Sequence, residues 1–142
     1  MNTGTGASAP PSYFAASGPV TVRVEPMYLM EQSLPDQGRW VWAYTVEICN
    51  AGPETVQLLS RRWEITDAHG HTEVVEGDGV VGAQPVLPAG QCFVYTSGCP
   101  LRTPSGFMRG FYRMVTEDGI GFTATIPAFS LDSPDGAPAV RH

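Results

Sequence analysis

Between residues 39 and 50 every second side chain is large and apolar: Trp40, Trp42, Tyr44, Val46 and Ile48 share one parity, and Arg39, Val41, Ala43, Thr45 and Glu47 the other. A period of two places each set on its own face of an extended strand. One face is then so bulky that it requires an apolar layer to cover it. Burying each such side chain contributes about 1.5–3 kcal/mol, so this stretch carries much of the core. No window of the chain shows the 3.6-residue apolar stripe of an amphipathic helix. The covering layer must therefore also be sheet.

The rest of the chain divides in the same way. Val20, Val22 and Val24 alternate with Thr21 and Arg23, and Pro26 fits the end of that strand or an edge position. Residues 56–66 carry Leu58, Leu59, Trp63 and Ile65, with a change of parity at Leu58 and Leu59 that predicts a bulge. Asp67 to Gly70 reads as a hairpin turn, and residues 72–75 return from it. Residues 91–96 alternate Phe93 and Tyr95 with Cys92 and Val94. Residues 107–116 and 120–126 close as a hairpin around Asp118-Gly119. With 16 Gly and 13 Pro among 142 residues, turns are plentiful. About seven strands at a spacing of ~8–12 residues specify an all-β fold, a two-sheet antiparallel sandwich of the immunoglobulin or fibronectin type III kind. Residues 1–18 and 132–142 are small, polar and Pro-containing, and are expected to be flexible tails around one domain at 19–131.

Charge and residue usage remove several functions. A net charge of −6 and a pI near 4.8 argue against nucleic acid as a partner, because phosphate neutralisation needs a basic face. All eight basic residues are Arg, so neither a Schiff-base lysine nor a Walker-type phosphate lysine exists. The three cysteines, at 49, 92 and 99, form neither an even framework nor a C-x-x-C pair, and a reducing compartment is the simpler expectation. No apolar run approaches the ~18 residues of a membrane helix. The chain is expected to be cytoplasmic, off the membrane, and a monomer or a weak homodimer joined through sheet edges.

Gly77-Asp78-Gly79-Val80-Val81-Gly82 matches the letters G-x-G-x-x-G. A dinucleotide site needs a helix to open at those glycines, and Pro85 and Pro88 forbid one. Two readings are left. Either the glycines let a long loop turn and pass close to the sheet, or Gly77, Asp78, Gly79 and Gly82 present a nest of amides to a phosphate with help from Arg61 or Arg62. The Asp78 carboxylate opposes the second.

Elsewhere the chemistry is thin. His69 and His71 flank a turn glycine, where with Asp67, Glu73 or Asp78 they would fall short of a tight metal site, so neither metal nor cofactor is expected. Cys92 and Cys99 read as a buried strand thiol and a loop thiol with no histidine placed to activate them. Ser97 lacks a G-x-S-x-G frame, and the carboxylates are scattered singly. Arg102, Arg109 and Arg113 lie near or on one strand, and Arg109 and Arg113 share a face with Phe107 and Phe111. Mixed guanidinium and aromatic stripes are enriched in protein interfaces, so either these arginines form the candidate partner surface, or the phenylalanines are core and the arginines snorkel to its rim.

Several stretches together resemble one family. They are Tyr28-Leu29-Met30-Glu31-Gln32-Ser33, Leu58-Leu59-Ser60-Arg61-Arg62-Trp63-Glu64-Ile65-Thr66-Asp67, Gly77-Asp78-Gly79-Val80-Val81-Gly82-Ala83-Gln84-Pro85, Tyr95-Thr96-Ser97-Gly98-Cys99-Pro100-Leu101, Gly106-Phe107-Met108-Arg109-Gly110-Phe111-Tyr112 and Ile126-Pro127-Ala128-Phe129. In this order they resemble the bacterial ApaG proteins. The resemblance implies a fibronectin type III-like sandwich. It is similar to domains of a eukaryotic F-box protein and a polymerase-delta-interacting protein, where the domain binds other proteins. It also implies a link to cobalt resistance and magnesium efflux. The expected function is thus a non-enzymatic binding module for an unknown protein partner, with a phosphate, pyrophosphate or nucleotide ligand at the glycine loop as the alternative. The family pattern has Arg-His-Trp where this chain has Arg61-Arg62-Trp63, and Gly-Glu-Gly where it has Gly77-Asp78-Gly79.

Overall fold

The computed structural model describes residues 11–136. Within them, nine strands run in chain order: β1 (Tyr13–Ser17), β2 (Val20–Tyr28), β3 (Trp40–Asn50), β4 (Val56–Asp67), β5 (Thr72–Asp78), β6 (Val86–Leu87), β7 (Cys92–Leu101), β8 (Ser105–Thr116) and β9 (Gly121–Asp132). All pairings are antiparallel. One sheet has the order β1-β2-β3-β7; the other has β9-β8-β4-β5, with β6 also pairing β4. The two sheets stack as the sandwich that the patterning calls for. The apolar parity of β3 faces inward: Trp42, Tyr44, Val46 and Ile48 are all buried. The covering layer consists of Leu58, Trp63, Met108, Tyr112, Met114 and Phe129 from the second sheet. Across the interface the Trp63 ring meets Tyr44 at 5.2 Å, and on its own sheet it meets Phe129 at 6.0 Å, both edge-on. The bulge expected at Leu58 and Leu59 is present, as a register shift between Leu58 and Ser60 against β8.

Two expectations are corrected. The first concerns the tails. Tyr13–Ser17 is a strand, paired with Val20–Val24 through a tight turn at Gly18, whose φ is +58°. Its residues are mostly small, so hydrophobicity gives little sign of it; it is held by the Tyr13 ring, 6.1 Å from Phe129, and by a bond from the Thr125 amide to Ser17 Oγ at 2.9 Å. The start of the supposed C-terminal tail is tied down as well. The Trp42 indole donates to the Asp132 carbonyl at 2.9 Å, and Trp40 to the Asp135 carboxylate at 3.1 Å. The remaining tail residues, 1–10 and 137–142, lie outside the described part.

The second correction is a disulfide. Cys49 on β3 stands directly opposite Cys92 on β7, with 4.1 Å between their Cα atoms, and the two are bonded. The expectation of no disulfide, with Cys92 a free thiol, therefore fails. It failed because a separation of 43 residues carries no information about cross-strand register. Cys92 is also exposed, and the buried free thiol is Cys99, which sits in β7 and not in a loop.

The sandwich is asymmetric. On one long side β9 packs against both β1 and β2. On the other, the edge strands β5 and β7 stand apart, and the core is reachable between them.

Candidate functional site on the open side of the sandwich

The gap between β5 and β7 holds a cavity of about 430 Å³. Strand alternation decides what enters it. On β4, Arg61, Trp63 and Ile65 point inward, while Ser60, Arg62, Glu64 and Thr66 point out. Tyr44, Trp63, Tyr95 and Met108, all buried, form the floor; Val80 and Val81 come from the glycine loop, and Glu73, Val75 and Pro100 from the two edges.

The polar groups at this floor are held in their neutral forms. Burial pushes the Tyr44 hydroxyl up, partly offset by a hydrogen bond with Ser97. Burial likewise raises Tyr95 and Tyr112, whose hydroxyls share a bond of 2.5 Å between the sheets. Burial, reinforced by the Glu73 charge, pushes the Cys99 thiol up to about 11. A thiol that remains protonated is a poor nucleophile.

Arg61 is the cationic group of the cavity. Its Nη1 donates to the carbonyls of Asp78 at 3.0 Å and Gly79 at 2.9 Å. Among the described residues it has no carboxylate partner, unlike Arg23, Arg62 and Arg109.

The glycine loop has a structural explanation residue by residue. A Cβ on Gly77 would lie 2.8 Å from Arg61 Nη2, so the absence of a side chain leaves room for the guanidinium. Gly79 has φ +63°, and a Cβ there would overlap the Ala83 carbonyl. Val80 and Ala83 exchange two backbone bonds, of 2.8 and 2.9 Å, around a two-residue turn of Val81 (φ +41°) and Gly82 (φ +81°). This is the geometry of a type I′ hairpin turn. The amides of Gly79, Val80 and Ala83 all donate within the protein. The loop thus directs carbonyls, from Asp78 and Gly79, at Arg61. Gly77, Asp78 and Gly79 are brought against Arg61, while Gly82 serves the turn with nothing beside it, and the loop amides are largely occupied.

The arginines proposed as a partner surface separate into two places. Arg109 and Arg113 lie on the outward face of β8 with Phe107 and Phe111. Arg109 Nε is 2.9 Å from Glu64, which also meets Arg62; Arg62 reaches on to Glu76 at 3.1 Å. The Arg113 guanidinium stacks over the Phe111 ring at 5.2 Å. Arg102 is in the turn after β7 and lines a crevice with Asp67, His71 and Glu73, away from the other two. His69 and His71 flank their turn as exposed residues whose amides donate to Asp67 Oδ1 at 2.8 and 3.0 Å. Among the described residues the cluster with metal-ligand spacing is Glu47, Cys49 and Cys92, and both of its sulfurs are used in the disulfide. Sequence reasoning missed Val81. A β-branched residue ahead of a glycine in a reciprocal four-residue turn is the local sign that was available.

These features define a small antiparallel β-sandwich domain, open along one side, with an arginine set into an aromatic cavity. A family model described as the ApaG domain matches residues 30–116, and the chain belongs to that family. It is 56% identical over 123 residues to Protein ApaG of Xanthobacter autotrophicus, covering 87% of this chain and 95% of that one. It is 58% identical over 115 residues to Protein ApaG of Maricaulis maris, covering 81% and 88%. Among solved structures, a protein described as ApaA from Bordetella pertussis is 48% identical, with a TM-score of 0.79 over 86% of this chain and 96% of that one. A second, from the Northeast Structural Genomics Consortium, is 41% identical with a TM-score of 0.78 over 87% and 93%. Among the described residues no helix is long and apolar enough to cross a membrane.

Proposed function

We propose that this chain is a non-enzymatic binding module that docks a protein partner on the outward face of β8 and β4, in a pathway tied to divalent-cation homeostasis. The observation that carries the docking surface is the exposure of a mixed stripe: Phe107 is 42% exposed beside Arg109, Phe111 and Arg113 on one sheet face. Snorkelling arginines over core phenylalanines would have buried both rings inside the sandwich; here Met108, Tyr112 and Met114 fill the core and the rings face outward. Val74, also exposed, extends the apolar strip onto β5 opposite Glu64. The alternating charges of Arg109, Glu64, Arg62 and Glu76 would fix a partner's register more than its affinity. The cation link rests on the family resemblance alone.

The test is photo-crosslinking in cells from a reactive residue placed at Phe107, with a control at Val94 on the outward face of the other sheet, which is also exposed. One protein crosslinked from Phe107, absent from Val94, and lost when Arg109→Glu is added supports the surface. Identical products from both positions, or none, count against it.

A further inference from the structure

We propose that the inter-sheet cavity is a binding site for a small anion carried on a flat apolar body, such as an aromatic carboxylate or an aryl phosphate monoester, with Arg61 holding the charged head. Three independent observations converge there. The first is size and lining. About 430 Å³ of space floored by Tyr44, Trp63, Tyr95 and Met108 suits a ring system; cavities of this order, mostly apolar with a few placed polar groups, are the usual form of small-ligand sites.

The second is charge. Arg61 lines that cavity without a carboxylate partner among the described residues, and only its Nη1 is engaged, by the two loop carbonyls. Those carbonyls fix the plane of the guanidinium and leave the Nη2 and Nε donors for a planar anion. A protonated Cys99 and neutral tyrosines add no negative charge at the floor. Glu73 on the rim is the opposing group.

The third is strain. Val81 is the one non-glycine residue at positive φ among those described, and it is 60% exposed at the cavity mouth. A β-branched side chain is disfavoured in this region of backbone space, where Asn or Gly would be relaxed. Strain of this sort persists at ligand clamps. The isopropyl group is exposed at the mouth, so an occupant there would add an apolar contact to it.

The site is not an amide nest at the glycine loop, because the Gly79, Val80 and Ala83 amides are already bonded within the protein. The inference is also separate from the outward partner surface, since Arg61 and Arg62 point to opposite sides of β4.

Two-dimensional NMR titrations of the full chain with 2-naphthoate, 2-naphthyl phosphate, inorganic phosphate and the neutral 2-naphthalenemethanol test it. Saturable shifts at the Trp63 indole and the Val81 and Ser97 amides are expected with both naphthyl anions, and about tenfold weaker binding or none with phosphate or the neutral alcohol. The tighter of the two anions identifies the head group. Arg61→Gln is expected to weaken the anions about tenfold, and Glu73→Gln to tighten them. Because Arg61 also anchors the loop, Val81→Asn is the companion variant: it keeps the cation, should raise Tm, and should still weaken the naphthyl anions. Inorganic phosphate binding as tightly as the naphthyl anions, undiminished binding in a folded Arg61→Gln protein, shifts lying outside the cavity, or no saturable shift with any probe would each overturn the proposal.

Discussion

Tyr95 and Tyr112 extend from opposite sheets and join hydroxyl to hydroxyl at 2.5 Å, each almost wholly buried. An apolar core would not need this bond, but once one hydroxyl is present the other is required to satisfy it. Tyr112→Phe should therefore cost about 1–3 kcal/mol, the penalty of a buried hydroxyl left without a partner. The Tyr95→Phe/Tyr112→Phe double variant should lose less than the sum of the two single variants. Urea unfolding of all four proteins measures the coupling.

The Cys49–Cys92 bond links β3 to β7 across 43 residues of chain. Constraining the unfolded state in this way is worth about 2–4 kcal/mol. Urea midpoints measured with and without a reductant should differ accordingly, and Cys92→Ser should match the reduced wild type under both conditions.

Glu64 sits under Arg109, whose hydrogen bond is the largest influence on it and holds its carboxyl below the usual carboxylate range despite partial desolvation; Arg62 adds to the effect. A carboxyl that binds protons less readily when folded stabilises the fold above its unfolded pKa, and that contribution fades as pH falls through the folded value. Arg109→Gln should raise the Glu64 pKa and flatten this acid limb of the stability curve. Side-chain carboxyl NMR shifts, followed between neutral and acid pH, report it directly.

Cys99 should resist thiol reagents in the native protein at mildly alkaline pH, since burial keeps its pKa at about 11. With the other two cysteines bonded, a chromogenic disulfide reagent should find no reactive thiol until denaturant is added, and then one per chain.

Gly79→Ala places a methyl group against the Ala83 carbonyl at a positive φ, and should cost at least about 1–3 kcal/mol. Gly121→Ala, whose new methyl would have its nearest neighbour at 3.9 Å, is the control and should be close to neutral by thermal unfolding.

What was legible in the sequence followed from periodicity. The alternation of Trp40 to Ile48 gave the inward face of β3, the parity change at Leu58 gave the bulge, and Asp118-Gly119 gave the last hairpin. Features that depend on register or on small residues did not show. Tyr13–Ser17 pairs through its backbone with little apolar surface to mark it, and Cys49 meets Cys92 only because β3 and β7 are neighbours in space. The site was half legible. Arg61 and the glycines were named together, but the letters G-x-G-x-x-G suggested amides facing an anion. The structure explains them through a guanidinium, a carbonyl and a tight turn that each needed space.

Near the closed side of the sandwich, Pro11, just ahead of β1, borders the same crevice as Ser130 and Asp132 at the end of β9. The cavity and its flanking edges lie on the opposite side. The end of β9 and the lead into β1 thus close the side away from the cavity, so a partner on that side would leave the gap between β5 and β7 open to solvent.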